Sequence, residues 1–227
     1  MRFQLRWRTL CCFLILCLGT LAAGCQVFGV LASAAPDPTV DASYKGLAHQ
    51  RVAVMVWCDH AMAIDWPNLQ IDLTRGIQGR LQDMARKKDH PKELEGATFP
   101  MPESVVKFQR DHPELEAEAI TDVAPRMDVS RLIYIEVQQF ATRPQESVEL
   151  FRGSLTANLK VLEVSSGKAK VVFQQEKLQA EFPPKSLEEG TPSLGDVQTY
   201  EKTLEAFSTK VVNLFVPHVE PREEFDR

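Results

Sequence analysis

The sequence predicts an α+β fold: a two-layer α/β sandwich with a mixed sheet of about 4-5 strands and helices mainly on one face. Three observations predict it. Arg51 to Cys58 (RVAVMVWC) is apolar on both alternating faces, the pattern of a central strand buried on two sides. Leu69, Leu73, Ile77, Leu81 and Met84 recur at three and four residues, which draws one apolar stripe along a helix. Leu150 to Val164 and Lys168 to Phe182 are long alternating runs joined by Ser165-Ser166-Gly167, a hairpin whose Gly supplies positive φ.

The chain starts with Arg2, Arg6 and Arg8, then runs uncharged from Leu10 to Leu21 and reaches Ala22-Ala23-Gly24-Cys25. This is the three-part plan of a secretory signal. Leu10 to Ala23 falls short of the roughly 20 residues a membrane-spanning helix needs. Ala23-Gly24-Cys25 resembles the lipobox of bacterial lipoproteins, with Ala22 where that pattern usually has Leu, here one residue earlier as Leu21. The resemblance implies cleavage before Cys25 and a diacylglycerol on its thiol. A plain signal cut after Ala32-Ser33-Ala34 is the competing reading.

Residues 1–24 are then a signal peptide, 25–48 the lipidated cysteine and a flexible tether, 49–216 a single α/β domain, and 217–227 a polar tail. Pro36-Asp37-Pro38 keeps the tether extended. Loss of the signal removes three arginines and leaves 23 basic against 31 acidic side chains, a net charge of about −8. Such a chain has no broad attraction for nucleic acid or anionic headgroups, so no nucleic-acid partner is expected. Membrane attachment rests on the acyl chains, at roughly 0.8 kcal/mol per buried CH₂. Cys11, Cys12 and Cys17 leave with the signal, and Cys58 reads as a small buried hydrophobe.

Asp65 as N-cap and Pro67 in the first turn predict where the 69–84 helix begins. Gly76 and Gly79 inside it suggest close approach to a neighbouring backbone. Ala97-Thr98-Phe99 reads as a short edge strand, Glu103 to Arg110 as a short helix, and Glu114 to about Ala124 as another after Pro113. Arg131 to Phe140 is a second strong strand, with Ile133, Ile135 and Val137 on one face and Tyr134, Glu136 and Gln138 on the other. Along the next strand Phe151, Leu155, Ala157, Leu159 and Val161 share a face, while Arg152, Ser154, Thr156, Asn158 and Lys160 share the opposite one. Pro183 to Gly195 reads as a loop. Val197, Tyr200, Leu204, Phe207, Val211 and Leu214 stripe a last helix that Pro217 ends.

The opening Arg51-Val-Ala-Val-Met-Val-Trp, the strand Leu132-Ile-Tyr-Ile-Glu-Val and the hairpin Glu163-Val-Ser-Ser-Gly-Lys resemble a domain shared by several envelope proteins. These are the curli-secretion lipoprotein, the lipoprotein activator of penicillin-binding proteins and the amino-terminal domain of the Tol-system propeller protein. The resemblance covers about residues 50–216 and rests on element order and pattern. It implies the same fold and, more distantly, an assembly role.

Chemistry could sit at Trp57-Cys58-Asp59-His60, at the carboxyl end of the first strand, where ligands bind in sheets with helical crossovers. Asp59, His60 and Asp65 form the possible ligand loop, and Arg152, Thr156 and Asn158 the possible partner surface. There is no His-x-x-x-His, Gly-x-Ser-x-Gly, Gly-x-x-x-x-Gly-Lys-Ser/Thr or Gly-x-Gly-x-x-Gly in the sequence. No catalytic residue, metal or cofactor is therefore assigned. The expected function is a membrane-anchored periplasmic lipoprotein that binds or helps assemble another envelope protein without catalysis. Gln26 in place of Asp after the cysteine favours the outer membrane. The alternatives are an envelope hydrolase or metal-dependent enzyme using Asp59 and His60, and a lipid or glycolipid carrier with an apolar cavity between helices and sheet.

Overall fold

The computed structural model describes residues 38–144, 151–184 and 195–220, and for 115–116 the backbone only. The chain divides into two compact units, residues 1–39 with 219–227, and residues 40–218; the second carries the α+β fold. Signal, lipobox and most of the expected tether lie outside the described residues.

Runs of β-branched and aliphatic residues form four strands: β2 (Val52–Trp57), β3 (Arg131–Ala141), β4 (Gly153–Ser165) and β5 (Lys168–Phe182). They form one mixed sheet in the order β2-β3-β4-β5, with β2 parallel to β3 and the other pairs antiparallel. Two-residue strands, β1 (Thr39–Val40) and β6 (His218–Val219), make a separate small sheet. The helices are α1 (His60–Asp65), α2 (Leu69–Arg86), α3 (Pro102–Asp111), α4 (Ile120–Val123) and α5 (Asp196–Asn213). The expected helix from Glu114 to about Ala124 is broken into a 3₁₀ turn at Pro113–Ala117, the single turn of α4 and another 3₁₀ turn at Ala124–Arg126.

Alternation along the strands sorts the sheet into two faces. Val52, Val54, Val56, Ile133, Ile135, Val137, Leu155, Leu159 and Val161 point to α2 and α5 and form the main core with Leu69, Leu73, Ile77, Leu81, Phe207 and Val211. Each such side chain taken from water contributes about 1.5–3 kcal/mol. Ala53, Met55, Leu132 and Leu162 point the other way, against Val105 of α3 and Ala124. The two long helices share one face, and the shorter 102–126 segment covers part of the other.

Double-sided burial does not make β2 central. It is an edge strand, buried because helices lie on both of its faces. The Ala97-Thr98-Phe99 segment flanks its outer side near the start: Val52 N–H donates to Thr98 O at 2.8 Å and Thr98 N–H to Gln50 O at 2.9 Å. Alternation fails at one point in β3, where a bulge after Val137 turns Phe140 onto the main-core face opposite Leu155. In the β4–β5 turn Ser166 and Gly167 both take positive φ (50° and 73°), as a two-residue hairpin matching strand twist requires.

Residues 40–48, expected as the end of the tether, belong to the folded body. Leu47 is wholly buried, Tyr44 N–H donates to Leu214 O at 2.9 Å, and the Tyr44 ring meets Phe173 and Phe215. The inward stripe of α5 also differs. Val197 is 72% exposed, whereas Thr199 and Thr203 are fully buried. For Thr203 the helix backbone explains it: its Oγ1 donates to Thr199 O at 2.6 Å, which satisfies the hydroxyl internally, whereas Thr199 Oγ1 is buried with no hydrogen-bond partner among the described residues.

Glycines set two close approaches. A Cβ on Gly76 would lie 2.9 Å from Ser208 Oγ, so α2 and α5 meet there, side chain against backbone. A Cβ on Gly153 would fall 1.7 Å from Thr203 Oγ1, and one on Gly79 would meet nothing within 4 Å. Gly153→Ala is therefore expected to destabilise the protein by about 1–3 kcal/mol through overpacking. Gly79→Ala is expected to stabilise it by up to ~1 kcal/mol through helix propensity. Urea unfolding midpoints of the two variants should move in opposite directions.

Candidate functional site

Asp59 takes extended backbone (φ −66°, ψ 167°) and its Oδ1 accepts the N–H of Met62 at 2.8 Å, so it caps α1. Asp65 does not cap the long helix as expected; it is the last residue of α1, which stops before Pro67. Asn68 begins α2 without a side-chain cap bond. Asp59 and Asp65 line one open groove of about 620 Å³ with Met62, Trp66, Phe140 and Arg143, while His60 is exposed and not among its lining residues. Among the described residues no group of three His, Cys, Asp or Glu side chains is placed to hold a metal.

The floor of this groove is aromatic. Trp66 stacks on Tyr200 at 5.7 Å, and Phe140 meets both edge-on at 4.9 and 5.5 Å. Tyr200 Oη donates to Asp72 at 2.9 Å. Burial pushes the Tyr200 phenol up, and the hydrogen bond to Asp72 adds to the shift. At the rim Arg143 grips Asp196 through Nε at 3.1 Å and an Nη at 2.6 Å, and Thr142 Oγ1 donates to the same carboxylate at 3.0 Å.

A second concavity lies on the opposite face of the sheet and is better furnished. It is a cleft of about 580 Å³. Strand register builds its floor: Met55 pairs with Tyr134 and Tyr134 with Lys160, while Trp57 pairs with Glu136 and Glu136 with Asn158. Of these, Met55, Trp57, Tyr134, Glu136 and Lys160 line the cleft. α3 supplies a wall of Val106, Gln109 and Arg110, and the chain beyond it contributes Glu118, Ile120 and Val123. Burial, and then the charge of Glu136, push the Tyr134 phenol up, so it stays a neutral hydroxyl.

Gln109 fixes the polarity of the wall. Its Nε2 donates to Val56 O at 2.9 Å, which orients the amide. Its Oε1 is buried and has no hydrogen-bond partner among the described residues. A buried amide oxygen without a donor costs roughly 1–3 kcal/mol. Two side chains at the cleft are already engaged: Glu118 with Arg126, and His112 Nδ1 with Glu114 at 3.0 Å.

The expected partner surface falls on this same side of the sheet. Thr156 lies opposite Gln139 and Gln179, and Asn158 beside Glu136, where its Oδ1 accepts Lys177 N–H at 3.0 Å. Arg152 precedes β4, and its backbone N–H donates to Thr142 O at 3.1 Å. Cys25 lies outside the described residues. Sequence reasoning placed Tyr134, Glu136 and Lys160 on the correct face but did not join them into a site. Gln109, Arg110 and Ile120 had no signal of their own, since only the path of the crossover brings them over β2.

No family model and no curated protein matches the sequence. Solved structures with some likeness include a PelC dodecamer from Paraburkholderia phytofirmans, at 8% identity and TM-score 0.42, covering 80% of this chain and 99% of that one. The hypothetical protein CT253 from Chlamydia trachomatis is 15% identical, with TM-score 0.40 and coverage of 73% and 97%. Lipoprotein GNA1162 from Neisseria meningitidis is 13% identical, with TM-score 0.36 and coverage of 71% and 93%. Likenesses this distant assign no family and no function.

Two pH effects follow. The folded state keeps the Tyr134 proton past the ordinary tyrosine value of about 10, where the unfolded chain loses it. Stability should therefore decline as pH rises beyond that value, and Tyr134→Phe should flatten the decline in a pH series of thermal melts. Arg143 first, and Thr142 less, hold the Asp196 carboxyl below the usual range. That contribution is present at neutral pH and lost as pH falls through the lowered value. Asp196→Asn should lower Tm slightly at pH 7, with the gap to wild type closing in acid.

Proposed function

We propose that the protein is a lipid-anchored envelope protein, held through Cys25, whose folded body is a non-catalytic binding module. The anchor is supported by the order of Arg2, Arg6 and Arg8, an uncharged Leu10–Leu21 and Ala23-Gly24-Cys25. No helix among the described residues is long and apolar enough to cross a membrane, so acyl chains are the attachment this reading relies on.

The observation that carries the binding half is the cleft over Tyr134 and Glu136. It gathers Gln109, Arg110, Tyr134, Glu136 and Lys160 with the apolar side chains of Met55, Val106, Ile120 and Val123 around one concavity, a lining suited to recognising a polar ligand. Asp59, the residue a hydrolytic alternative would use as base, is engaged as the cap of α1. The space between the long helices and the sheet, which a lipid carrier would need open, is filled by Leu73, Ile77, Leu159, Phe207 and other fully buried side chains. An envelope protein partner would meet the polar side of β4, around Thr156, or the free edge of β5. An outer-membrane location fits Gln26.

Mass spectrometry of the mature amino terminus tests the anchor: a diacylated Cys25 is expected. Cys25→Ala should move the protein from the membrane to the aqueous fraction. An unmodified thiol on a water-soluble wild type would end this reading.

A further inference from the structure

The charges left over at the cleft have a pattern. Among the described residues, Arg110, Lys160 and Glu136 form no ion pair, although Glu118 of the same cleft pairs with Arg126. Lys160 sits opposite Tyr134, and Glu136 is two residues further along β3, so the two are diagonal neighbours on one floor. Diagonal positions of a sheet lie about 7–8 Å apart. Lys160 thus stands within one small molecule's reach of the Glu136 carboxylate, and Arg110 on the α3 wall adds a second cation to the cleft.

The neutral groups of the cleft divide into acceptors and donors. Gln109 Oε1 is a buried acceptor fixed in place by its amide's bond to Val56 O, and it needs an N–H or O–H donor. With the Glu136 carboxylate it makes up the hydrogen-bond acceptors of the cleft. The Tyr134 hydroxyl, held neutral, can donate alongside Lys160 and Arg110. Between them Met55, Val106, Ile120 and Val123 offer apolar surface, with the Trp57 ring at the edge. The volume, about 580 Å³, lies within the ~300–1,000 Å³ of small-molecule sites.

We infer that this cleft binds a small zwitterion of dipeptide size. The ligand's carboxylate lies on Lys160 and Arg110, its ammonium lies on Glu136 and Gln109 Oε1, and an apolar side chain rests against Ile120 and Val123. A carboxylate alone would leave Gln109 Oε1 without a donor, and an amine alone would leave both cations unmatched. The inference rests on the cleft being the binding site proposed above.

The probe is the dipeptide Ala-Phe, with its N-acetyl and C-amide forms, titrated into the full-length protein in detergent and followed by calorimetry and ligand-observed NMR. Free Ala-Phe is expected to bind, and blocking either end to weaken it about tenfold, the value of one charge-assisted hydrogen bond. Lys160→Met should abolish the preference for the free carboxylate over the amide. Glu136→Gln should abolish the preference for the free amine over the acetyl form. Lys202→Ala, on the exposed side of α5, should change neither, and circular dichroism confirms that each variant is folded. Absence of binding at millimolar peptide overturns the inference, as do equal affinities for blocked and free forms, or folded variants with unchanged preferences. None of these results bears on lipidation at Cys25, which mass spectrometry reads separately. A probe recovered cleaved would support the site and overturn the non-catalytic assignment instead.

Discussion

Two neighbouring parallel strands cannot be joined by a tight turn; the chain must cross the sheet to begin the second strand from the same end. Residues 58–130 make that crossing between β2 and β3, and they do so over both faces. α2 lies on the main-core side with α5, and α3 with α4 returns on the other. Everything distinctive about the molecule follows from this divided path. It buries β2 at an edge, and it holds Gln109 and Ile120 over Tyr134 with a cleft between them.

The main layer was legible because its signals are local and redundant. Period-two alternation in β3 and β4, the stripe of α2 and the Ser-Gly turn each identify one element without reference to any other. What was not legible depends on the partner. A strand apolar on both faces reads as central, yet β2 is an edge strand whose second cover comes from α3. Thr203 is polar, yet a hydroxyl that bonds back to its own helix can be buried. Asp65 reads as the cap of the long helix, yet a short helix capped by Asp59 intervenes and ends at Asp65.

The candidate site shows the same limit. Tyr134 and Glu136 could be assigned to a face from β3 alone, and Lys160 from β4 alone. Their meeting depends on the registers of β2 and β4 against β3, which no single strand's pattern states. Gln109 became informative only when its amide was seen bonded to Val56 O, because that bond decides which end of the side chain is presented to the cleft. The charged residues that stood out in sequence, Asp59 and His60, sit instead at the tip of a six-residue helix.

The entry of the chain into the folded body has a mechanical side. Arg131 donates to Tyr44 Oη and to Gly46 O, each at 3.2 Å, and Arg131 is itself paired with Glu163 at 3.0 Å. Leu47 is wholly buried just beyond. One guanidinium thus laces the incoming segment to β3 and, through Glu163, to β4, so that releasing it would loosen the segment and the end of the strand pair together.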